Sequence, residues 1–356
     1  MGSIDHMKSC ERLPDYSRVE NALAFKEIDR VPNFEVCVSR KVREVLFGCE
    51  LPDGLQSELF YRPKLGYDYI FLVPPYWKPP VYSRQAIHAV DDHGMDREWV
   101  NQHSSMFTDW ASFKAYDLYP EPVNPLNLEE LRLAIAEARR HPGRLGVGAL
   151  LPSCPFMEIN LLMGYENFSI TLHEDFDLCK AVVDKLGRVG VAETEQLARE
   201  DIDFMFFGDD MAYTAGMMIS PEMTRELFFP WYRQYIQIAR DAGKAIMFHS
   251  DGDIESIIPD FIAAGLNGLN PIEPLAMDIV KLKRQFAGKL ALMGNIDVDL
   301  LSRGTPEEVD ALTKKRLNEL KSGGGYLLAS SNSICDYVKP ENYLAMLNAN
   351  SKYGGY

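Results

Sequence analysis

Short apolar runs bounded by glycine, proline and polar residues recur along this chain, separated by longer stretches whose apolar positions follow helical spacing. The runs predict eight strands, at 31–38, 67–73, 144–151, 203–208, 245–249, 266–272, 290–295 and 325–329. The run 245–248 is continuously apolar, as in a strand buried on both faces. Helices are predicted at 128–140, 173–199, 220–242, 254–264, 278–286 and 305–321. Ser220-Pro221-Glu222 and Thr305-Pro306-Glu307-Glu308 each set a capping hydroxyl before a proline at the first helical position. Gly243 and Gly265 stand where a helix ends and a strand follows. Repeated strand–helix alternation over 356 residues predicts an α/β fold, a (β/α)8 TIM barrel. Residues 1–7 read as a tag remnant and 8–356 as a single barrel domain. The segment 74–110, dense in proline and aromatic residues, reads as an insertion after the second strand, where long loops shape sites.

Charge narrows the partners. Lysine and arginine number 37 against 52 aspartates and glutamates, a formal charge of −15, which disfavours nucleic acid. No apolar run has the roughly 18–20 residues that span a bilayer, so a cytoplasmic location with no membrane partner is expected. The six cysteines, at 10, 37, 49, 154, 179 and 335, form neither a Cys-x-x-Cys pair nor a disulfide framework. The absence of a Walker loop, a dinucleotide fingerprint and a nucleophile elbow removes the commonest nucleotide and serine-hydrolase readings.

In a barrel the chemistry gathers at the carboxyl ends of the strands. The residues assigned there are Arg40, Asp68, Tyr76, Ser153, Cys154, Asp209, Asp210, His249, Asp251, Glu273, Asn295, Asp297 and Asn332. Any one aspartate among them also suits the capping of the next helix. His249 carries more weight because it ends four apolar residues and has Asp251 two positions on, a spacing that lets one strand end offer two metal ligands. A core histidine bonded to a backbone carbonyl is the simpler alternative. Glu226 lies one helical turn after Glu222, on a face that is either solvated or turned inward as a ligand. Tyr76, Trp77 and Trp99 are candidate walls for a flat apolar substrate, or pack the insertion on the barrel. The spacings of His88, His93 and His103 match no metal motif.

Several motifs together resemble the uroporphyrinogen decarboxylase superfamily, from about Asn21 to Leu347. They are Gly208-Asp-Asp-Met-Ala-Tyr-Thr-Ala-Gly216 with Ile219-Ser-Pro-Glu222, Phe248-His-Ser-Asp-Gly252, Asn270-Pro-Ile-Glu-Pro274, Met293-Gly-Asn-Ile-Asp297, and Ala329-Ser-Ser-Asn-Ser333 ahead of Pro340-Glu-Asn-Tyr343. The resemblance implies a (β/α)8 barrel, often dimeric, with its ligand in the mouth. It also implies one of two chemistries: cofactor-free decarboxylation of a polycarboxylate tetrapyrrole, or corrinoid-linked methyl transfer with zinc. The arginine-rich amino-terminal motif of the decarboxylases is here Asn33-Phe-Glu-Val-Cys-Val-Ser-Arg40, with one arginine, and Asn332 stands where they carry a histidine. Asp251 and Asn332 stand where the thiol methyltransferases carry zinc-binding cysteines.

What remains is similar to the ether-cleaving methyltransferases, which use two carboxylates upstream of a histidine. On that resemblance zinc is expected on Asp210, Glu226 and His249, with His249, Asp210 and Asp251 as the catalytic groups. Arg40, Asp68, Tyr76, Trp77, Trp99, Asp209 and Asn332 are expected at the substrate. The expected reaction moves a methyl group from a small, aromatic methyl ether to a corrinoid carried by a separate protein, since no corrinoid-binding Asp-x-His-x-x-Gly segment is present. A decarboxylase using Arg40 with Asp68 or Asp210, a methylcobalamin-dependent thiol or folate methyltransferase, and a non-catalytic barrel that binds a tetrapyrrole or corrinoid protein stay open as alternatives.

Overall fold

Residues 12–52, 54–74, 105–116 and 125–356, with the backbone of Ala86–Val90 and Asp96–Val100, are described by a computed structural model of the chain. Among the described residues eleven strands occur in chain order: β1 (Tyr69–Leu72), β2 (Ala86–Val90), β3 (Asp96–Val100), β4 (Gly146–Leu150), β5 (Phe204–Gly208), β6 (Ala212–Tyr213), β7 (Gly216–Met217), β8 (Ala245–His249), β9 (Gly268–Ile272), β10 (Ala291–Ile296) and β11 (Tyr326–Ser330). Seven of them form a curled parallel sheet in the order β1-β4-β5-β8-β9-β10-β11, each paired with the next along the chain of that sheet. Helices return the chain between them, which is the (β/α)8 barrel expected from the alternation. β2 and β3 form an antiparallel hairpin within the insertion, and β6 with β7 a two-residue one just past β5.

The apolar runs are strands because both their faces are buried. Every residue of β1, β9, β10 and β11 is buried. Inside the sheet the rings of Tyr16, Phe34, Tyr69, Phe71, Phe204 and Phe206 stack and tilt on one another with centroids 5.3–6.0 Å apart. Gly148 in β4 is required by this packing, since a β-carbon there would lie 2.0 Å from the ring of Phe204.

One expected strand is corrected. Segment 31–38 occupies the eighth position, between β11 and β1, but it is held by isolated bridges, Asn33–Leu328 to β11 and Val38–Ile334 to the segment that follows β11. Pro32 has no amide hydrogen, which interrupts a ladder. Its carbonyl accepts from Leu328 (3.0 Å) and Phe34 donates to the Leu328 carbonyl (2.7 Å). Towards β1 the closure is made by side chains. The Tyr69 hydroxyl accepts from the Glu35 amide and donates to the Glu35 carbonyl, both at 2.9 Å. The buried guanidinium of Arg62, from the helix Leu55–Lys64, donates to the carbonyls of Glu35 (2.9 Å) and Val36 (3.1 Å). Glu58 pairs with its Nε, and the rings of Tyr61, Tyr67 and Tyr69 lie 4.9–5.5 Å from it. On the other side, the Glu35 carboxylate accepts from the amide (2.7 Å) and hydroxyl (2.8 Å) of Ser330 at the end of β11.

Two long helices are each broken in two. Helix 173–199 begins earlier and divides into Tyr165–Glu174 and Phe176–Ala198, because Asp175 turns its carboxylate onto the Leu178 amide and starts a new helix. Helix 220–242 divides at Phe228 into Pro221–Leu227 and Phe229–Asp241, where Pro230 withholds a hydrogen bond at the start of the second. Ser220 and Thr305 cap their helices as read, through the amides of Met223 and Glu308. Among the described residues no helix is long and apolar enough to cross a membrane.

Complete burial pushes the Glu35 carboxyl up to about 8, against the opposing pull of the Ser330 hydrogen bonds and Arg62. A carboxyl whose folded value is raised contributes stability below its unfolded value, near 4.3, and loses it as pH rises through the folded value. Glu35→Gln keeps the shape without the charge. It is expected to match wild type near pH 5 and to exceed it by roughly 2–4 kcal/mol above pH 8 in urea unfolding. A difference independent of pH would remove Glu35 as the titrating group.

Candidate active site at the carboxyl end of the barrel

The register of β8 decides what meets His249. Gly208 of β5 lies level with it on one side and Asn270 of β9 on the other. Asp210 follows two residues past Gly208, so its carboxylate reaches the histidine from one side while Asp251 reaches it from the turn after β8. His249 Nε2 lies 3.7 Å from Asp210 Oδ1 and 3.5 Å from Asp251 Oδ1. Its Nδ1 is 2.8 Å from Asn270 Oδ1. Asn332, beyond β11, donates to Asp251 Oδ2 at 2.5 Å, and Asp210 Oδ1 accepts from the Asp251 amide at 3.1 Å.

Each residue of His249-Ser-Asp-Gly252 has a separate task. Ser250 is buried, accepts from the Met211 amide (3.1 Å) and so ties the turn to the strand-end loop after β5. Gly252 sits at φ +79°, where a β-carbon would come 2.5 Å from the Ala212 carbonyl oxygen, so only glycine lets the turn lie against the β6–β7 hairpin. The other two, His249 and Asp251, hold their side chains over the barrel.

One ligand atom each from Asp210, His249 and Asp251 lies within 4.8 Å of the others. Donors on a tetrahedral zinc sit about 3.3 Å apart, given bonds of about 2.0–2.1 Å, so the two histidine–carboxylate separations need only small adjustments. Asp251 Oδ1 is itself buried without a hydrogen-bond partner, as is Asn270 Nδ2. Burial raises the Asp251 carboxyl to about 6, helped by the like charges of Asp210 and Glu273 and opposed by His249 and Asn332. Burial raises Glu273 as well. A nitrogen and two carboxylate oxygens converging this way can hold a divalent cation or pass a proton.

The family model for uroporphyrinogen decarboxylase (URO-D) matches residues 76–353. This chain is an enzyme of the URO-D family. Among solved structures it is similar to a methyltransferase from Methanosarcina mazei, with a TM-score of 0.68 and 16% identity over 96% of this chain and 99% of that one. At that identity the likeness shows the shared fold. No curated protein matches the chain.

Within this URO-D barrel several expected site residues are placed elsewhere. Asp209 turns away from Asp210 and is fully buried, accepting from the amides of Phe156 and Met157 (both 2.8 Å) and the Tyr232 hydroxyl (2.7 Å). It caps the helix Pro155–Met163 instead of facing a substrate, and burial pushes its carboxyl up to about 7. Asp68 precedes β1 and therefore lies at the opposite end of the barrel, where it pairs with Arg18 (2.7 Å) and Arg30 (3.7 Å). Arg40 opens the exposed helix Arg40–Phe47 and bonds to Glu44 at 2.8 Å. Glu226 is exposed on the helix Pro221–Leu227 and does not join Asp210 and His249, whereas Asp251 lies beside them. Asn332 reaches the cluster, but through Asp251. Tyr76 and Trp77 lie outside the described residues, and of Trp99 only the backbone, in β3, is described.

A groove of about 1000 Å3 lies beside the turn after β8, lined in part by Met217, Met218, Met223, Ser220, Asp253 and Glu255. Its lining does not include the three cluster residues. Asn270 escaped the sequence reading as a site residue. Its signal was a polar residue within the apolar run 266–272, whose side chain had to find a partner.

The two neighbouring aspartates separate stability from site chemistry. Asp209→Ala removes a cap and leaves Tyr232 unpaired in the core, and should cost about 2–4 kcal/mol in urea unfolding. Asp210→Ala, at a partly exposed position facing another carboxylate, should cost less than about 1 kcal/mol. Equal losses would refute the division of roles.

Proposed function

We propose that this enzyme is a methyltransferase of a corrinoid-dependent system, taking a methyl group from a small, aromatic methyl ether, with zinc held by Asp210, His249 and Asp251. The convergence of these three donors at the barrel mouth, with a buried carboxylate oxygen that has no hydrogen-bond partner, carries the reading. The name of the Methanosarcina mazei neighbour supports it. A decarboxylase of a polycarboxylate is less well supported, since Arg40 is engaged with Glu44 and Asp68 lies at the other end of the barrel. Carboxylates around His249 would repel such a substrate.

An ether oxygen is a poor leaving group, so charge building on it must be taken up. Bound to the three donors, zinc would supply Lewis acidity at that oxygen. A reduced corrinoid on a separate partner protein would supply the electron pair that bonds the methyl carbon, and the bonding pair of the broken C–O bond would stay on the ether oxygen. A proton then completes the alcohol or phenol. As zinc ligands Asp251 and His249 would not be free to supply that proton, which would come from water; in a metal-free version of the reaction they would be its donors. Tyr76, Trp77 and Trp99 are proposed as walls for the ring.

The deciding experiment combines the purified full-length protein, zinc, a reduced corrinoid protein and methoxylated aromatic compounds, following the corrinoid spectrum and the demethylated product. Wild type should carry about one zinc per chain and turn over. His249→Ala should lose the metal and at least about 100-fold in rate. Decarboxylation of an acid by metal-free protein would replace this reading.

A further inference from the structure

Resting on the metal reading above, we propose that Asn270 and Asn332 are positioning residues. Each holds one cluster side chain so that a single atom of it is presented to a common cation. The amide oxygen of Asn270 can only accept, so at 2.8 Å it requires the proton of His249 to sit on Nδ1. Nε2 then keeps its lone pair, and Nε2 is the nitrogen that faces Asp210 and Asp251. A lone pair set against two carboxylate oxygens at 3.5–3.7 Å is unfavourable with nothing between them and favourable around a cation. Turning the Asn270 amide over would move the proton to Nε2 and close the site to a metal. Asn270 is 0% exposed, so water does not substitute for its carbonyl.

Asn332 does the corresponding work for the second ligand. Its amide nitrogen holds Asp251 Oδ2, which leaves Oδ1 as the oxygen directed at His249. That oxygen is buried and has no hydrogen-bond partner, as a ligand atom awaiting a cation would be. Asn270 lies within β9, the neighbour of β8, and Asn332 in the turn after β11, so two separate elements each hold one side chain of the cluster. Neither residue is in the group of three donors.

The test is the zinc dissociation constant of the full-length protein, measured by competition with a chromophoric chelator at fixed pH. Asn270→Ala and Asn332→Ala should each weaken zinc about 10–100-fold. Asn270→Asp, which still accepts from Nδ1, should stay within about threefold of wild type. Thermal midpoints measured in excess chelator should differ little among the four proteins, which separates positioning from folding. Wild-type affinity in both alanine variants would overturn the inference and leave the proposed function standing. An Asn270→Asp protein as weak as Asn270→Ala would overturn the role given to the acceptor. Failure of wild type to bind zinc would overturn this inference together with the metal reading.

Discussion

A barrel with seven regular strands closes only if something fills the eighth position, and here that task falls on segment 31–38, whose proline interrupts its ladder. Arg62 supplies the missing hydrogen bonds. Its guanidinium spends two donors on the carbonyls of Glu35 and Val36, with a third held by Glu58, and lies among three tyrosine rings. Removing one partner from such a buried set costs about 3–5 kcal/mol, because the charge left behind has no water to turn to. Glu35 then ties the same segment to Ser330 at the carboxyl end of β11. The curvature that brings the ends of β5, β8 and β9 under one mouth depends on this closure.

Once the barrel is closed, the mouth is assembled by register. His249 stands level with Gly208 and Asn270, so one neighbour offers no side chain at that level and the other an amide. The absence of a side chain on Gly208 leaves the approach to Asp210 open. Asp209 and Asp210, adjacent in sequence, are sent to opposite tasks by the alternation of an extended chain: one into the core to cap a helix, the other over the barrel.

The electrostatics of the mouth follow from the same arrangement. Asp210, Asp251 and Glu273 act on one another as like charges, and burial raises Asp251 and Glu273 above ordinary carboxylates. Such a cluster is costly in the folded protein without a cation or a proton to share. Structure of this kind persists where function needs it. Asn270 and Asn332 suit the same interpretation, as neutral groups that fix geometry without cancelling the charge a cation would require.

The sequence by itself determined the repeating strands, because burial on both faces leaves a mostly apolar run whatever the neighbours are. Seven of the eight runs became strands of the sheet, with ends shifted by a residue or two. It also determined the helix starts at Ser220 and Thr305 and the placing of His249 and Asp251 together at one strand end, since capping hydroxyls and a polar turn after an apolar strand are local signals. Asp68 falls at the far end of the barrel for a reason already in the sequence, since it opens its run and chain direction fixes which end is the mouth. Tertiary structure alone decided the rest. Asp175 and Phe228 divide helices whose apolar spacing runs on without a break. Glu226 is left in solvent and Asn270 brought to His249, because the ligand set of a site depends on the register between strands distant in sequence, and register is set by how the whole sheet packs and closes.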